Sequence, residues 1–293
     1  MAIWIAVLLG IIQGIFMFLP VSSTAHMVLA EHWLIRQGHA MPDPASPEMI
    51  LFNLVVHVGT LVSIVVVFWS SLSRFVGNIF SDTMTWAGRG GREGVPLYLR
   101  LFLLGMFSVL CTGLLGLSLK ASFEWVFATP MVIAVTLIFT GLVLFWTDKL
   151  KPRKRGLKNT GLGTAAVIGI AQGFALAPGL SRSAMTIVFA LFCGLKRRWA
   201  AEYSFFLAIP TILAATLVQS RDVFKLGGEG LGHISWSALG VGFIVAAVVG
   251  IVSLKIVVWT LYRAQLKIFA FYVWLLAALI LFGVINLSVV GEG

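Results

Sequence analysis

Long apolar runs alternate with short polar ones along this chain, and the run lengths set the elements. The runs at 49–69, 97–119, 125–146, 200–218, 236–259 and 268–290 are of the length a helix needs to cross a bilayer, and they predict six spans. Two other apolar stretches, 2–35 and 162–195, are each broken midway by polar residues. The first break reads Pro20-Val21-Ser22-Ser23-Thr24 and the second Pro178-Gly179-Leu180-Ser181-Arg182-Ser183. The pieces flanking each break are too short to span. Each stretch therefore predicts a re-entrant hairpin that enters and leaves on one side, its turn buried in protein or lining a wet cavity. The segments 36–48 and 70–96, the latter carrying Arg74, Arg89 and Arg92, read as polar loops.

Each half of the chain thus holds one broken hairpin followed by three spans. The halves echo each other in sequence: Gly10-Ile11-Ile12-Gln13-Gly14 before the first break matches Gly169-Ile170-Ala171-Gln172-Gly173 before the second. The predicted organisation is a first repeat at 1–147, a basic linker at 148–161 and a second repeat at 162–293. Positive charge marks the cytoplasmic side. It places the basic run at 148–158 inside, opens the first hairpin to the outside, and sets the second, which ends at Lys196-Arg197-Arg198, entering from the cytoplasm. An odd number of spans per half inverts one repeat relative to the other, a transporter-like design. The expected fold is an all-α polytopic membrane protein of two inverted-topology repeats.

Composition agrees. Of the residues 59% are hydrophobic and 11% charged, against about a quarter charged in a soluble domain, and the mean hydropathy is +1.01. The net charge of +10 sits mostly in short loops, as topology signals do, so membrane lipids and not nucleic acid are the expected partners. Cys111 and Cys193 lie in apolar runs and read as packing residues. The first ten residues lack a cationic start, so a cleaved signal peptide is not expected.

The two breaks carry the chemistry: Arg182, His26, and the hydroxyls of Ser22, Ser23, Thr24, Ser181 and Ser183. A helix that begins after a break points free N–H groups into it, and a guanidinium matches phosphate oxygens. Together these favour a phosphate, and the apolar surroundings a phosphate on a lipid. A hydroxyl after a proline is also a common helix cap, so each serine alone reads as cap or ligand alike. Arg182, a charge between apolar pieces, reads as functional. Asn53, His57 and Gln172 read as hydrogen-bond glue between helices. Glu202 reads as an ion-pair partner of Arg197 or Arg198, close to the start of a core span.

The two motifs, Phe18-Leu19-Pro20-Val21-Ser22-Ser23-Thr24-x-His26-Met27 and Pro178-Gly179-x-Ser181-Arg182-Ser183, resemble those of the bacterial undecaprenyl-diphosphate phosphatase (bacitracin-resistance) family. The likeness extends to Asn53 and His57 and to Ala201-Glu202-Tyr203-Ser204-Phe205. It implies an inner-membrane protein that acts on a polyprenyl diphosphate or monophosphate and recycles the lipid carrier of cell-wall synthesis. It implies catalytic roles for His26 and Ser23 and phosphate binding by Ser22, Ser23, Thr24, Ser181, Arg182 and Ser183. It also implies two glutamates, four apart, that hold magnesium or calcium or manage a proton; here Gln13 and Met17 stand at those positions. No cofactor is evident from this chain's own residues. Hydrolysis and non-hydrolytic transport of the lipid both stay open, as does a homo-oligomer. Ala25 and Ala184 replace the family's glycines after the two motifs, where a positive φ would be strained.

Overall fold

A computed structural model describes residues 1–44, 46–88, 94–119, 130–151, 153–177, 179–225, 235–283 and 285. Pro178, the glycine run at 89–93, the start of the expected span at 125–146, most of 219–235 and the end of the expected span at 268–290 lie wholly or partly outside them. The described residues form eleven α-helices and no named strand. The first half contains α1 (Ile3–Phe16), α2 (Ser23–Arg36), α3 (Pro47–Val67), α4 (Trp69–Gly88), α5 (Leu97–Ser118) and α6 (Pro130–Asp148). The second contains α7 (Leu162–Phe174), α8 (Arg182–Phe192), α9 (Arg197–Lys225), α10 (Trp236–Tyr262) and α11 (Lys267–Leu281). Five helices, α3, α5, α6, α9 and α10, are long and apolar enough to cross a membrane. The described part of the sixth, α11, has 15 residues. The chain is an all-α polytopic membrane protein.

Local signals place the ends. Ser46 caps α3, its Oγ accepting from the Met49 N–H at 3.3 Å, with Pro47 in the first turn. Ser235 caps α10 in the same way through the Ala238 N–H at 3.3 Å. The Asp148 carboxylate accepts from the Leu266 and Lys267 N–H groups at 3.1 and 2.9 Å, tying the end of α6 to the start of α11.

The segment 70–96, expected as a loop, is a helix over most of its length. α4 is amphipathic: Leu72, Phe75, Val76, Ile79 and Phe80 recur at helical spacing among Ser, Arg, Asn and Asp. It lies on α5, where the Asp82 carboxylate accepts from the Tyr98 and Leu99 N–H groups at 2.8 and 3.2 Å and so caps that helix. Phe75 packs edge-on to Tyr98. A cavity of about 490 Å³ opens between α4, α5 and α9, lined by Phe75, Tyr98, Tyr203 and Phe206 among others.

Packing between the long helices relies on small residues, as expected where lipid removes most of the hydrophobic drive between helices. α1 lies along α10, and a Cβ at Gly10 or Gly14 would come within 2.9 Å of the Gly242 or Ala246 carbonyl oxygen. α7 lies along α5 in the same way, and a Cβ at Gly173 would come within 2.8 Å of Leu115. α3 meets α10, α9 meets α5, α3 meets α9, and α6 meets α11. Exchanging the halves maps this set of contacts onto itself.

Candidate functional site

Both hairpins form. α1 ends at Phe16, a tight turn covers 17–22, and α2 starts at Ser23. α7 ends at Phe174, and α8 starts at Arg182. Gly179 holds φ +84° against Ile133 and Thr136 of α6, where any side chain would meet backbone, so glycine is required there. Thr140 of α6 secures that turn, its hydroxyl donating to the Gly179 carbonyl at 3.1 Å and accepting from the Ser181 N–H at 3.4 Å.

The two turns meet. The Ser183 Oγ donates to the Leu19 carbonyl at 3.5 Å, and Phe18 belongs to the apolar cluster that holds Ala184, Ile187 and Val188 of α8. The polar groups converge on the Met17 sulfur: Gln13 Nε2 lies 3.4 Å from it, Ser23 Oγ 3.9 Å and an Arg182 Nη 4.0 Å. Three donors from two hairpins thus face a thioether, a weak acceptor. Ser23 and Arg182, one from each motif, thus approach one sulfur, whereas the ring nitrogens of His26 are engaged by the Ser22 carbonyl and the Tyr272 hydroxyl.

The serines divide. Ser181 caps α8, accepting from the Ala184 N–H at 3.3 Å, and its Oγ is 3.2 Å from that of Ser183. Ser22 stands at the cap position of α2 but makes no side-chain cap bond. Its backbone has φ 68° and ψ 90°, and its Oγ is buried without a partner among the described residues. A non-glycine residue held there costs on the order of 1–3 kcal/mol, and such strain clusters at functional sites. Thr24 lies on the exposed face of α2. Ala25 and Ala184 are both helical, so the strain foreseen at them does not arise; it sits at Ser22.

His26 is 8% exposed and stacks on Phe16, ring centroids 3.7 Å apart. Its Nδ1 is 2.7 Å from the Ser22 carbonyl oxygen, which only accepts, so in the neutral ring Nδ1 carries the proton. Nε2 then accepts from the Tyr272 hydroxyl at 2.8 Å. Tyr272, on α11, was not among the candidates, because nothing in the sequence pairs positions so far apart.

Asn53 acts as glue, its Nδ2 donating to a Glu31 carboxylate oxygen on α2 at 3.2 Å. His57 instead bonds within its own helix, Nδ1 to the Asn53 carbonyl at 2.6 Å, and it interacts electrostatically with Arg182. Glu31 is 3% exposed. It is a buried acid that sequence reasoning passed over, although a lone charge in the apolar piece 25–35 is the same signal that marked Arg182. Gln172 bonds Thr112 and Thr211 at 3.0 and 2.9 Å, joining α7 to α5 and α9. Glu202 pairs with Arg198 at 3.0 Å.

A hard divalent cation does not fit at Gln13 and Met17. Magnesium and calcium take oxygen ligands, and here a sulfur is faced by N–H and O–H donors. Among the described residues no three His, Cys, Asp or Glu side chains cluster as a metal site.

A family model described as bacitracin resistance protein BacA matches residues 6–279. A protein of Alkalilimnicola ehrlichii named undecaprenyl-diphosphatase is 69% identical over 288 residues, 98% of this chain and 99% of that one. A protein of Halorhodospira halophila with the same name is 70% identical over 289 residues, 99% and 100% of the two chains. One of Novosphingobium aromaticivorans, again so named, is 36% identical over 273 residues, 91% and 92% of the two chains.

Proposed function

The chain belongs to the bacitracin resistance protein BacA family, and on that premise we propose that it is a membrane-embedded phosphatase of undecaprenyl diphosphate, releasing the terminal phosphate and leaving the lipid monophosphate for reuse in cell-wall synthesis. The convergence of Arg182, Ser23 and Gln13 on one point between the hairpins carries this reading. A phosphate drawn to that point replaces a poor acceptor with charged oxygens, and each such hydrogen bond is roughly twice as strong as a neutral one.

In this reading Arg182 and the free N–H groups of α2 hold the phosphate, with Ser22 and Ser23 donating to its oxygens. Water attacks the terminal phosphorus. His26 Nε2 takes the water's proton once the bond from Tyr272 opens. The bond from phosphorus to the bridging oxygen breaks, and its electrons leave on the lipid monophosphate, whose charge Arg182 stabilises. Thr24, Ser181 and Ser183 support the turns or the lipid head. The protein sits in the bacterial inner membrane, linker 148–161 cytoplasmic and the first hairpin open to the outside. The exchange-invariant helix contacts support two inverted repeats meeting at the site.

Phosphate release from undecaprenyl diphosphate by the purified protein tests the proposal, with and without magnesium or calcium. Arg182→Ala is expected to cut release about a hundredfold. A parent protein that releases no more phosphate than His26→Ala overturns it.

A second reading, carriage of polyprenyl phosphate across the bilayer without hydrolysis, is favoured by the neutral Met17 at the heart of the donors. Translocation in liposomes tests it. Transport unchanged by Arg182→Ala rules it out.

A further inference from the structure

Arg182, half-buried at the start of α8, and Glu31, buried on α2, sit one on each hairpin, and among the described residues neither forms an ion pair. The polar contact of Arg182 is a sulfur at 4.0 Å; that of Glu31 is the Asn53 amide at 3.2 Å. A buried charge without a partner is costly, and inside a membrane it marks function. Two side chains of α3, one helical turn apart, lead from Glu31 toward Leu61, which packs in the apolar cluster of Met17 and Phe18. Asn53 binds Glu31, and His57 interacts with Arg182.

The hydrogen bonds give this pair a direction. Because a carboxylate only accepts, the Asn53 NH₂ must face Glu31, which turns Oδ1 away. That oxygen is buried without a partner among the described residues. The Asn53 carbonyl fixes the neutral His57 ring with its proton on Nδ1, leaving Nε2 as an acceptor with no hydrogen bond among the described residues. Glu31 thus sets up an acceptor side, Asn53 Oδ1 and His57 Nε2, complementing the donors that face Met17. Donors suit the oxygens of a phosphate. Acceptors suit the protons of an attacking water and of hydrogen phosphate.

We propose that Glu31, held by Asn53, is the carboxyl group that serves this site in place of the carboxylates α1 lacks, and that it works as a positioning residue through Asn53 and His57. The proposal rests on the phosphatase reading and deepens it: the carboxyl group has moved from the entering helix of the first hairpin to the leaving one.

The test compares the parent with Glu31→Gln, Asn53→Leu and the exchange Glu31→Gln with Asn53→Asp, measuring kcat and KM for phosphate release and thermal unfolding in detergent. Glutamine can still accept from Asn53, so a purely structural role survives Glu31→Gln. The expected result is a fall in kcat of about tenfold or more in Glu31→Gln and Asn53→Leu, with KM within about threefold and Glu31→Gln unfolding as the parent does. The exchange, which returns a charge to the pair, is expected to recover at least about threefold of the kcat lost by Glu31→Gln. A parent that releases no phosphate overturns the phosphatase reading and this assignment with it. An active parent whose Glu31→Gln is equally active, or whose exchange variant is no faster than Glu31→Gln, overturns the assignment alone.

Discussion

At Met17 a thioether occupies the point on which a guanidinium, a hydroxyl and a carboxamide all bear. A carboxylate there would accept all three bonds and pair with Arg182. Replacing Gln13 and Met17 together by glutamate is therefore expected to raise phosphate release about tenfold or more and to make it depend on magnesium or calcium, since two carboxylates one turn apart supply hard oxygen ligands. Release unchanged in rate and in metal response would show that the site does not use acids at these positions. Much at this scale was legible. Arg182 stood out as a charge in an apolar run, and the hydroxyl clusters marked both breaks. Whether a serine caps or stays free was not, because Ser22 and Ser181 follow similar prolines. Only the backbone separates them: Ser181 adopts the ordinary cap geometry, whereas Ser22 is held at positive φ by a turn pinned to α8.

Among the elements, the long apolar helices were legible from run length, and the paired short helices at the two breaks from pieces too short to span. α4 was not. Its composition is too polar for a span, and its helical period was hidden by reading the segment as a basic loop. What makes it a helix in place is tertiary: Phe75 against Tyr98 and the Asp82 cap on α5. Asp82→Ala leaves two backbone N–H groups of α5 without that acceptor. The variant is expected to lose about 1 kcal/mol, a fall of a few degrees in unfolding temperature. Protease sensitivity of 69–96 should rise alongside, and an unchanged digestion pattern would argue that other contacts hold α4. The glutamine shared by the two repeats has diverged at this scale too. Gln172 Nε2 bonds two helices, while Gln13 Nε2 meets only sulfur; both keep a buried Oε1 with no partner among the described residues.

For the whole molecule, the proposed inverted arrangement makes a prediction about sidedness. In a chain with Cys111 and Cys193 replaced by alanine, a single cysteine at His39 is expected to react with a membrane-impermeant thiol reagent from outside intact cells. One at Lys154 should react only after the membrane is opened. Labelling of both from one side would overturn the topology. The matched stretches Gly10-Ile11-Ile12-Gln13-Gly14 and Gly169-Ile170-Ala171-Gln172-Gly173 were visible in the sequence, but the cross-pairing was not, because a likeness in sequence does not say whether the two stretches pack within or between halves. Here they pack between. α1 lies on α10 and α7 on α5, with Gly10, Gly14 and Gly173 at the seams.

That cross-pairing bears on biosynthesis. α1 leaves the ribosome before the other described helices, and the surface it packs against is the next to last of them to be made. At about 5–20 residues per second the delay runs from roughly ten seconds to most of a minute. Through that interval the glycine face of α1 and the polar turn behind it lack their permanent neighbour, so the newborn amino-terminal half must be sheltered by the insertion machinery or wait at the bilayer surface until the carboxyl-terminal half arrives to close over it.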